Sequence, residues 1–243
     1  MSAPAVATAA EGATRIILVH GPGHGGWCWY RVATLLRAAG HRVDAPDLAA
    51  SGADARRLRD APTFEDYTRP LLDALRGLTD GYLPGQRRGR RVRHRPPAGL
   101  RQPALPRHRE AYPDGLDGQR HGCGARPLPA SVFLGPEFLR RKLYQLSPPE
   151  DYTLSQSLAR VSSYYVADLR GQPPFSEARY GAARKVYVVC EQDQALVEPY
   201  QRAMVTACPV AEVREIAGAD HMAMFSAPAE LAGHIADVAS TYA

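Results

Sequence analysis

Apolar and polar positions follow two different periods along the first 80 residues. Residues 15–20 (RIILVH) form a short apolar run that ends at Gly21, which is typical of a buried parallel strand entering a turn. The next apolar positions share one helical face: Val32, Leu35, Leu36 and Ala39. Gly40 stands where a glycine commonly ends a helix, so we predict a helix up to this residue and a second strand over residues 41–46.

A polar loop separates this unit from a second predicted helix. Thr63 and Asp66 have the T-x-x-D spacing of a capping box, in which the first residues of a helix satisfy each other's hydrogen bonds. The helix that follows has an apolar stripe: Leu71, Leu72, Leu75 and Leu78. The order strand, helix, strand, helix favours a parallel sheet covered by helices.

The same alternation returns at the end of the chain. Residues 185–190 (KVYVVC) are a continuous apolar run, as expected for a strand buried on both faces. A helix over residues 197–206 and a strand over residues 213–216 follow. The last predicted helix has one apolar face: Leu231, Ile235, Val238 and Tyr242.

Two further helices are predicted in the middle of the chain, and neither has a strand beside it. One contains Phe138, Leu139, Leu143 and Leu146, and the other covers residues 152–161. Such helices are typical of a cap inserted over a sheet. We predict a disordered N-terminus at residues 1–13 and one α/β domain over residues 14–243, whose helical cap covers residues 131–180.

Length and composition restrict the class of protein. A chain of 243 residues that is 45% apolar can bury one core of ordinary size. No apolar run approaches the roughly 20 residues that span a bilayer, and the N-terminus lacks the pattern of a signal peptide. We therefore predict a soluble, cytoplasmic protein without a membrane partner. The four cysteines are far apart, so neither a disulfide framework nor a metal site is predicted.

The positive charge is concentrated in residues 84–129. This stretch holds 11 arginines against Glu110, Asp114 and Asp117, and Arg, Pro and Gly make up more than half of it. Prolines remove donors from a strand ladder and arginines resist unpaired burial, so a central strand cannot form here. We predict an irregular basic segment. Arginine without interleaved aromatic residues does not favour nucleic acid, which we do not expect as a partner.

Candidate catalytic residues follow the two late strands. Asp193 and His221 each come shortly after a predicted strand, and ligands bind at the carboxyl ends of strands in an open parallel sheet. Catalytic triads in one class of hydrolases occur along the chain in the order Ser, Asp or Glu, His. An acid followed later by a histidine matches the last two members of that order. His221 would take a proton from a nucleophile, and Asp193 would orient the imidazole.

A glycine-rich turn follows the first predicted strand, where part of an oxyanion hole would lie in such a fold. We predict Gly21 and Pro22 as the oxyanion or substrate loop. Pro22 has no backbone N–H to donate to an oxyanion. The loss of one oxyanion donor typically lowers the catalytic rate by about 10²- to 10³-fold.

Several motifs in the same order resemble the plant methylesterase family of α/β-hydrolases, which has hydroxynitrile lyases as relatives. The similar stretches are residues 20–43, Asp47–Gly52 (DLAASG), Leu134–Leu154, Lys185–Asp193 and Gly218–Met224 (GADHMAM). The resemblance covers roughly residues 14–80 and 131–243. It implies a mostly parallel sheet with helices on both faces and a small helical cap.

The resemblance also implies an activity. The expected substrate is a small apolar carboxylic ester, such as a methyl ester of a plant hormone, and no cofactor is required. Gly21 after His20 and Met222 after His221 favour an esterase over a lyase, because the lyases have threonine and lysine at these places. A homodimer is also possible for a member of this family.

The sequence departs from the family where the nucleophile belongs. No Gly-x-Ser-x-Gly occurs in the chain, and residues 84–129 contain no serine, so the nucleophile is unknown. Ser51 and Ser131 are the weak alternatives. Because the chain has 28 arginines and 2 lysines, as GC-rich codons give, we hypothesise a reading-frame error across this stretch. Two hypotheses follow: a carboxylic ester hydrolase that is inactive in this form if no other group replaces the serine, and a non-catalytic protein that binds a small acid. A hydroxynitrile lyase is a weaker third alternative.

Overall fold

The structure is a computed structural model that describes residues 14–80, 128–173 and 182–242. Within these ranges the chain forms parallel strands and helices in alternation at both ends. The elements are β1 (Arg15–Ile17), α1 (Tyr30–Ala38), β2 (Arg42–Asp44), α2 (Phe64–Asp80), α3 (Pro136–Phe138), α4 (Pro149–Leu158), α5 (Val166–Arg170), β3 (Val186–Cys190), α6 (Glu198–Ala207), β4 (Glu212–Ile216), α7 (Ala223–Ser226) and α8 (Pro228–Tyr242). Single turns of 3-10 helix cover Gly26–Trp29 and Leu58–Asp60, and a π-helical turn covers Leu139–Leu143.

The strands form two parallel pairs. β1 lies beside β2, with Ile16 opposite Val43, and β3 lies beside β4, with Val188 opposite Arg214. Within the described residues, no strand pairs with both β1 and β3. The predicted disruption of the central strand falls mostly on residues 81–127, which lie outside the described residues.

Helices cover both faces of the first strand pair. Ile16 and Leu18 contribute to a core that α1 and α8 share, whereas Ile17 and Val19 pack on the opposite side. That opposite core contains Leu71 of α2. Because successive strand residues point to opposite faces, this division places α1 and α2 on different faces of the sheet.

The packing of α1 on α8 connects the two strand pairs. Their shared core includes Val43 of β2 and Ile216 of β4, together with Leu36 of α1 and Leu231 of α8. Leu36 is 1% exposed and Ile216 is fully buried. The half of the fold that carries β3 and β4 is therefore held to the other half through this helix pair.

Two predicted helix ends are confirmed: the C-terminus of α1 and the N-terminus of α2. Gly40 has a φ of +91°, in the left-handed region that glycine tolerates, and its N–H donates to the carbonyl of Arg37. The N–H of His41 donates to the carbonyl of Leu36, which completes a Schellman motif. In the capping box, the backbone N–H of Asp66 donates to Thr63 Oγ1 at 3.1 Å, and Thr63 Oγ1 donates to Asp66 Oδ2 at 2.6 Å.

Several predictions about burial and length are wrong. β1 and β2 are three residues each, shorter than the predicted runs 15–20 and 41–46. In β3 only Val189 is fully buried, whereas its other four residues are half-buried. Leu35 is 40% exposed because it lies beside the groove between α1 and α8, and Leu146 is 50% exposed.

Residues 131–173, which we call the helical segment, contain α3, α4 and α5. An isolated antiparallel bridge pairs Val132, at the start of this segment, with Ser162, between α4 and α5. The helix predicted over residues 152–161 begins earlier, at Pro149, and ends at Leu158. None of the described helices combines the length and apolar character needed to cross a membrane. The domain and cap boundaries stay predictions.

Candidate active site

The structure brings Asp193 and His221 together at one edge of the β3–β4 pair. Asp193 lies three residues beyond β3, and His221 lies in the loop after β4. Because the two strands are parallel, their carboxyl ends lie at the same edge. Nδ1 of His221 donates a 2.8 Å hydrogen bond to Oδ2 of Asp193 across 28 residues of sequence. Asp193 is 5% exposed, whereas the His221 side chain is 32% exposed.

Both oxygens of the Asp193 carboxylate have partners. Oδ2 receives the His221 hydrogen bond, and Oδ1 accepts from the backbone N–H groups of Ala195 and Leu196 at 2.7 and 2.8 Å. This set of donors fixes the orientation of the carboxylate. Among the described residues, none forms a hydrogen bond with Nε2 of His221, so this nitrogen is available for another molecule.

Asp220, which the sequence reasoning missed, organises the backbone around His221. Oδ1 accepts from the backbone N–H of Met222 and from Ser226 Oγ, both at 2.9 Å. Oδ2 accepts from the backbone N–H of Leu146 and from Ser147 Oγ, also at 2.9 Å. The side chain is fully buried. Its place directly before His221 was the only signal in the sequence, and that place does not reveal its partners.

The glycine-rich turn is ordered by His20. Nδ1 of His20 donates to the carbonyl of Gly21 at 2.8 Å, and Nε2 accepts from the backbone N–H of Leu48 at 3.0 Å. Burial lowers the pKa of His20, which agrees with one nitrogen acting as an acceptor. Gly21 is exposed and Pro22 is half-buried. The role of these two residues as an oxyanion or substrate loop stays a prediction.

A second histidine of this turn, His24, was also missed by the sequence reasoning. Its Nε2 accepts a 2.7 Å hydrogen bond from Tyr144 OH, and its Nδ1 donates to the carbonyl of Pro22 at 3.2 Å. Burial lowers the pKa of His24 to about 4, and the charges of His20 and His221 act in the same direction. His24 is therefore neutral at pH 7 and lies near His221.

His24 and Tyr144 belong to an aromatic cluster. Its rings belong to His24, Trp27, Tyr144 and Phe225, with Tyr144 and Phe225 stacked at 5.6 Å and Trp27 and Phe225 at 6.2 Å. Leu139 and Leu143 of the helical segment and Met222 belong to the same buried core. The cluster forms an apolar wall between the helical segment and the loop that carries His221.

Asp47 connects the glycine-rich turn to the loop after β2. Oδ1 accepts from the backbone N–H of Gly26 at 2.6 Å, and Oδ2 accepts from that of Ala53 at 2.9 Å. Gly52 has a φ of +52°, and a Cβ there would overlap the Asp47 carboxylate. A side chain is thus excluded at Gly52 both by its conformation and by its neighbour.

Neither alternative serine contacts His221 in the described part of the chain. Ser51 is 1% exposed, and its side chain lies beside that of Tyr67. Ser131 is exposed, at the start of the helical segment. The nucleophile therefore stays unassigned, and the segment where the family would carry it lies in the range 81–127 that the structure does not describe.

The thiols and carboxylates offer no other reactive centre within residues 14–80, 128–173 and 182–242. No group of three or more His, Cys, Asp and Glu side chains there could hold a metal ion. Cys28, Cys190 and Cys208 are free thiols, and Cys123 lies outside the described residues. Burial raises the pKa of Cys28, and it raises that of Cys190 to about 12, so both stay protonated at neutral pH.

Comparison with known proteins supports the family assignment. The Alpha/beta hydrolase family profile matches residues 16–234. Salicylic acid-binding protein 2 from Nicotiana tabacum is 38% identical over 253 aligned positions, which cover 93% of this chain and 97% of that protein. Methyl jasmonate esterase 1 from Vitis vinifera is 35% identical over 262 positions, covering 93% of this chain and 97% of that one. The crystal structure of polyneuridine aldehyde esterase matches with a TM-score of 0.74 and 28% identity, covering 94% of this chain and 99% of that chain.

These likenesses confirm the predicted α/β-hydrolase fold. The 253 positions aligned with the tobacco protein exceed the length of the matched part of this 243-residue chain, so some positions of that protein have no counterpart here. The matches nevertheless extend over both strand pairs and the helical segment. The chain therefore belongs to the α/β-hydrolase family and, within it, to the plant methylesterases.

Proposed function

We propose that this chain is a carboxylic ester hydrolase in which Asp193 and His221 form the acid–base relay. The observation that supports it is the 2.8 Å hydrogen bond from His221 Nδ1 to Asp193 Oδ2, with the opposite nitrogen of the imidazole free of described partners. The relatives include a methyl jasmonate esterase and a polyneuridine aldehyde esterase. Ester hydrolysis is thus the chemistry that the family and the geometry have in common.

In the proposed mechanism, Nε2 of His221 removes the proton from an attacking hydroxyl group. The oxygen of that group forms a bond to the ester carbonyl carbon, and the negative charge of Asp193 stabilises the resulting imidazolium. The imidazolium then gives its proton to the departing alkoxide as the ester C–O bond breaks, which releases the alcohol. Where the attacking hydroxyl belongs to the protein, water deprotonated by His221 Nε2 attacks the acyl carbon next, and the acid leaves as the proton returns to the protein oxygen. Because Asp193 Oδ1 is held by two backbone N–H groups, the carboxylate stays aligned with the ring throughout.

The aromatic cluster supports a small apolar ester as the substrate. Met222, which directly follows His221, belongs to this buried core, so an ester brought to His221 would lie beside apolar residues. We expect the chemistry to need no metal or organic cofactor, since proton transfer and acyl transfer use protein groups alone. A cytoplasmic location and a homodimer also stay proposals.

Hydrolysis of p-nitrophenyl acetate and methyl salicylate by the purified chain tests this function. We expect His221→Ala to abolish turnover, whereas the control His41→Ala, outside the site, retains it. A fluorophosphonate probe followed by mass spectrometry would identify any serine that acts as the nucleophile, Ser51 and Ser131 included. Equal turnover in His221→Ala and in the unaltered chain would exclude the relay.

A second candidate is a non-catalytic protein that binds a small aromatic or oxylipin acid. The absence of Gly-x-Ser-x-Gly from the sequence favours it, because a chain without a nucleophile could bind an acid but could not turn over an ester. The tobacco relative is named for salicylic acid binding. Calorimetry with salicylate would show saturable heat without turnover, and no heat with any candidate acid would count against this function.

A further inference from the structure

Asp193 lies in the loop after β3 and His221 in the loop after β4, and we call these the two relay loops. We propose that residues 145–147 of the helical segment fix the position of one relay loop relative to the other, and that Asp220 is the positioning residue through which they act on His221. The proposal rests on the proposed function only in treating Asp193 and His221 as a relay. Its structural part concerns the distance between these two side chains. It can therefore be tested in a chain without activity.

The three residues contact both relay loops, each at the residue directly before the relay residue. Gln145 Nε2 donates to the carbonyl of Gln192 at 2.6 Å, and Gln192 precedes Asp193. The backbone N–H of Leu146 and Ser147 Oγ donate to Asp220 Oδ2, and Asp220 precedes His221. One short stretch of the helical segment thus fixes two loops that come from different strands.

The Asp220 carboxylate also bonds to the backbone that follows His221. Its Oδ1 accepts from the N–H of Met222, the residue directly after His221, and from Ser226 Oγ. The backbone on both sides of His221 is therefore attached to one carboxylate. The N–H of Gln192 also donates to the carbonyl of Ala219 at 3.0 Å, which ties the two loops to each other.

Burial makes these contacts difficult to replace. Asp220 is fully buried, and its four donors among the described residues, two backbone N–H groups and two hydroxyls, are all uncharged. A buried carboxylate needs such donors because it has lost its hydration. In Asp220→Asn one oxygen becomes an NH₂ donor, so either the pair from Leu146 and Ser147 or the pair from Met222 and Ser226 would face another donor.

Nuclear magnetic resonance of the His221 imidazole measures the relay directly. An Nδ1–H that is hydrogen-bonded to Asp193 gives a low-field proton signal, which solvent exchange broadens when the bond opens. We expect this signal in the unaltered chain and its loss in Asp220→Asn and in the double variant Gln145→Ala, Ser147→Ala. The matched control is Ser157→Ala, which removes an exposed hydroxyl of α4 that bonds only the carbonyl of Thr153.

Kinetics separates positioning from simple destabilisation. If the unaltered chain hydrolyses p-nitrophenyl acetate, the double variant should lose about 10- to 100-fold in kcat with little change in KM, because misplacement of a catalytic group affects the chemical step. Circular dichroism at the assay temperature shows whether each variant is folded. If Asp220→Asn does not fold, the double variant alone tests the proposal. A folded double variant that keeps both the low-field signal and kcat would overturn the proposal. An unaltered chain that shows the signal but no turnover would contradict the proposed hydrolase and leave the positioning role intact.

Discussion

The hydroxyl of Tyr144 donates a 2.7 Å hydrogen bond to Nε2 of His24, a residue 120 positions earlier in the chain. The pair joins the helical segment to the glycine-rich turn after β1. Nδ1 of His24 already donates to Pro22, so an added proton would go to Nε2 and would displace the Tyr144 hydrogen bond. The contact between the two parts of the fold is therefore sensitive to pH.

Stability should fall as the pH is lowered from 6.5 to 4. The pKa of His24 is about 4 in the folded chain and about 6.5 in the unfolded chain, so the unfolded state binds the proton more readily over this range. The contribution of His24 is fully present above pH 6.5, and about 3 kcal/mol of it is lost by pH 4. The pKa of His20 is also lowered, so it acts in the same direction. Urea denaturation across this range measures the effect.

The variant His24→Gln should show a weaker dependence of unfolding free energy on pH than the unaltered chain. His41→Gln serves as the control, since His41 lies outside the aromatic cluster. If both variants have the same pH dependence as the unaltered chain, the neutral, buried state of His24 is not the source of the effect.

Asp193→Asn should reduce kcat by about 10⁴-fold, the typical loss when the acid of such a relay is replaced by its amide. An amide nitrogen facing His221 would favour the wrong tautomer of the imidazole. Asp151→Asn is the matched control, because Asp151 is as buried as Asp193 but bonds Tyr30 and Arg31 instead. Kinetics and thermal melting of both variants are needed, and equal losses of kcat would argue against the relay.

Gly52→Ala should destabilise the fold more than Gly40→Ala does. Both glycines have a positive φ, so alanine at either position costs about 1 to 2 kcal/mol. A Cβ at Gly40 meets nothing within 4 Å, whereas one at Gly52 overlaps Asp47, which adds about 1 to 3 kcal/mol. Urea denaturation of both variants gives the difference, and equal effects would show that the Asp47 contact is adaptable.

The nucleotide sequence tests the hypothesis of a reading-frame error. Translation of the other two frames across codons 81–130 should contain a Gly-x-Ser-x-Gly, the motif that this sequence lacks. A chain rebuilt in that frame should react with a fluorophosphonate at the restored serine. If neither frame encodes the motif, the arginine-rich stretch belongs to the gene as it is written.

The elements with strong local patterns were predictable from the sequence. Gly40 and the Thr63–Asp66 pair mark helix ends through hydrogen bonds within a few residues, and such contacts leave a signature in the sequence. Asp193 and His221 were predictable as neighbours because each follows a strand of one parallel pair.

Contacts over long sequence distances were not predictable in this way. Leu146, which donates to Asp220, and Tyr144, which donates to His24, lie 74 and 120 residues away from them, and no periodicity records such pairs. The half-burial of β3 depends on what covers the two faces of the strand, which the pattern of KVYVVC does not reveal. The predicted lengths of β1 and β2 were wrong for a similar reason, because the end of a strand depends on the strand that pairs with it.

The strands, helices and loops that place Asp193 beside His221 all come from the last quarter of the chain, apart from the contacts of residues 145–147. In the sequence, this unit is therefore well separated from residues 81–127. An ancestral enzyme could thus lose its nucleophile in one event and keep an intact proton-transfer pair for many generations. Descendants of such a chain would start with the proton-transfer pair in place and would need an attacking group and a donor for the oxyanion to regain turnover.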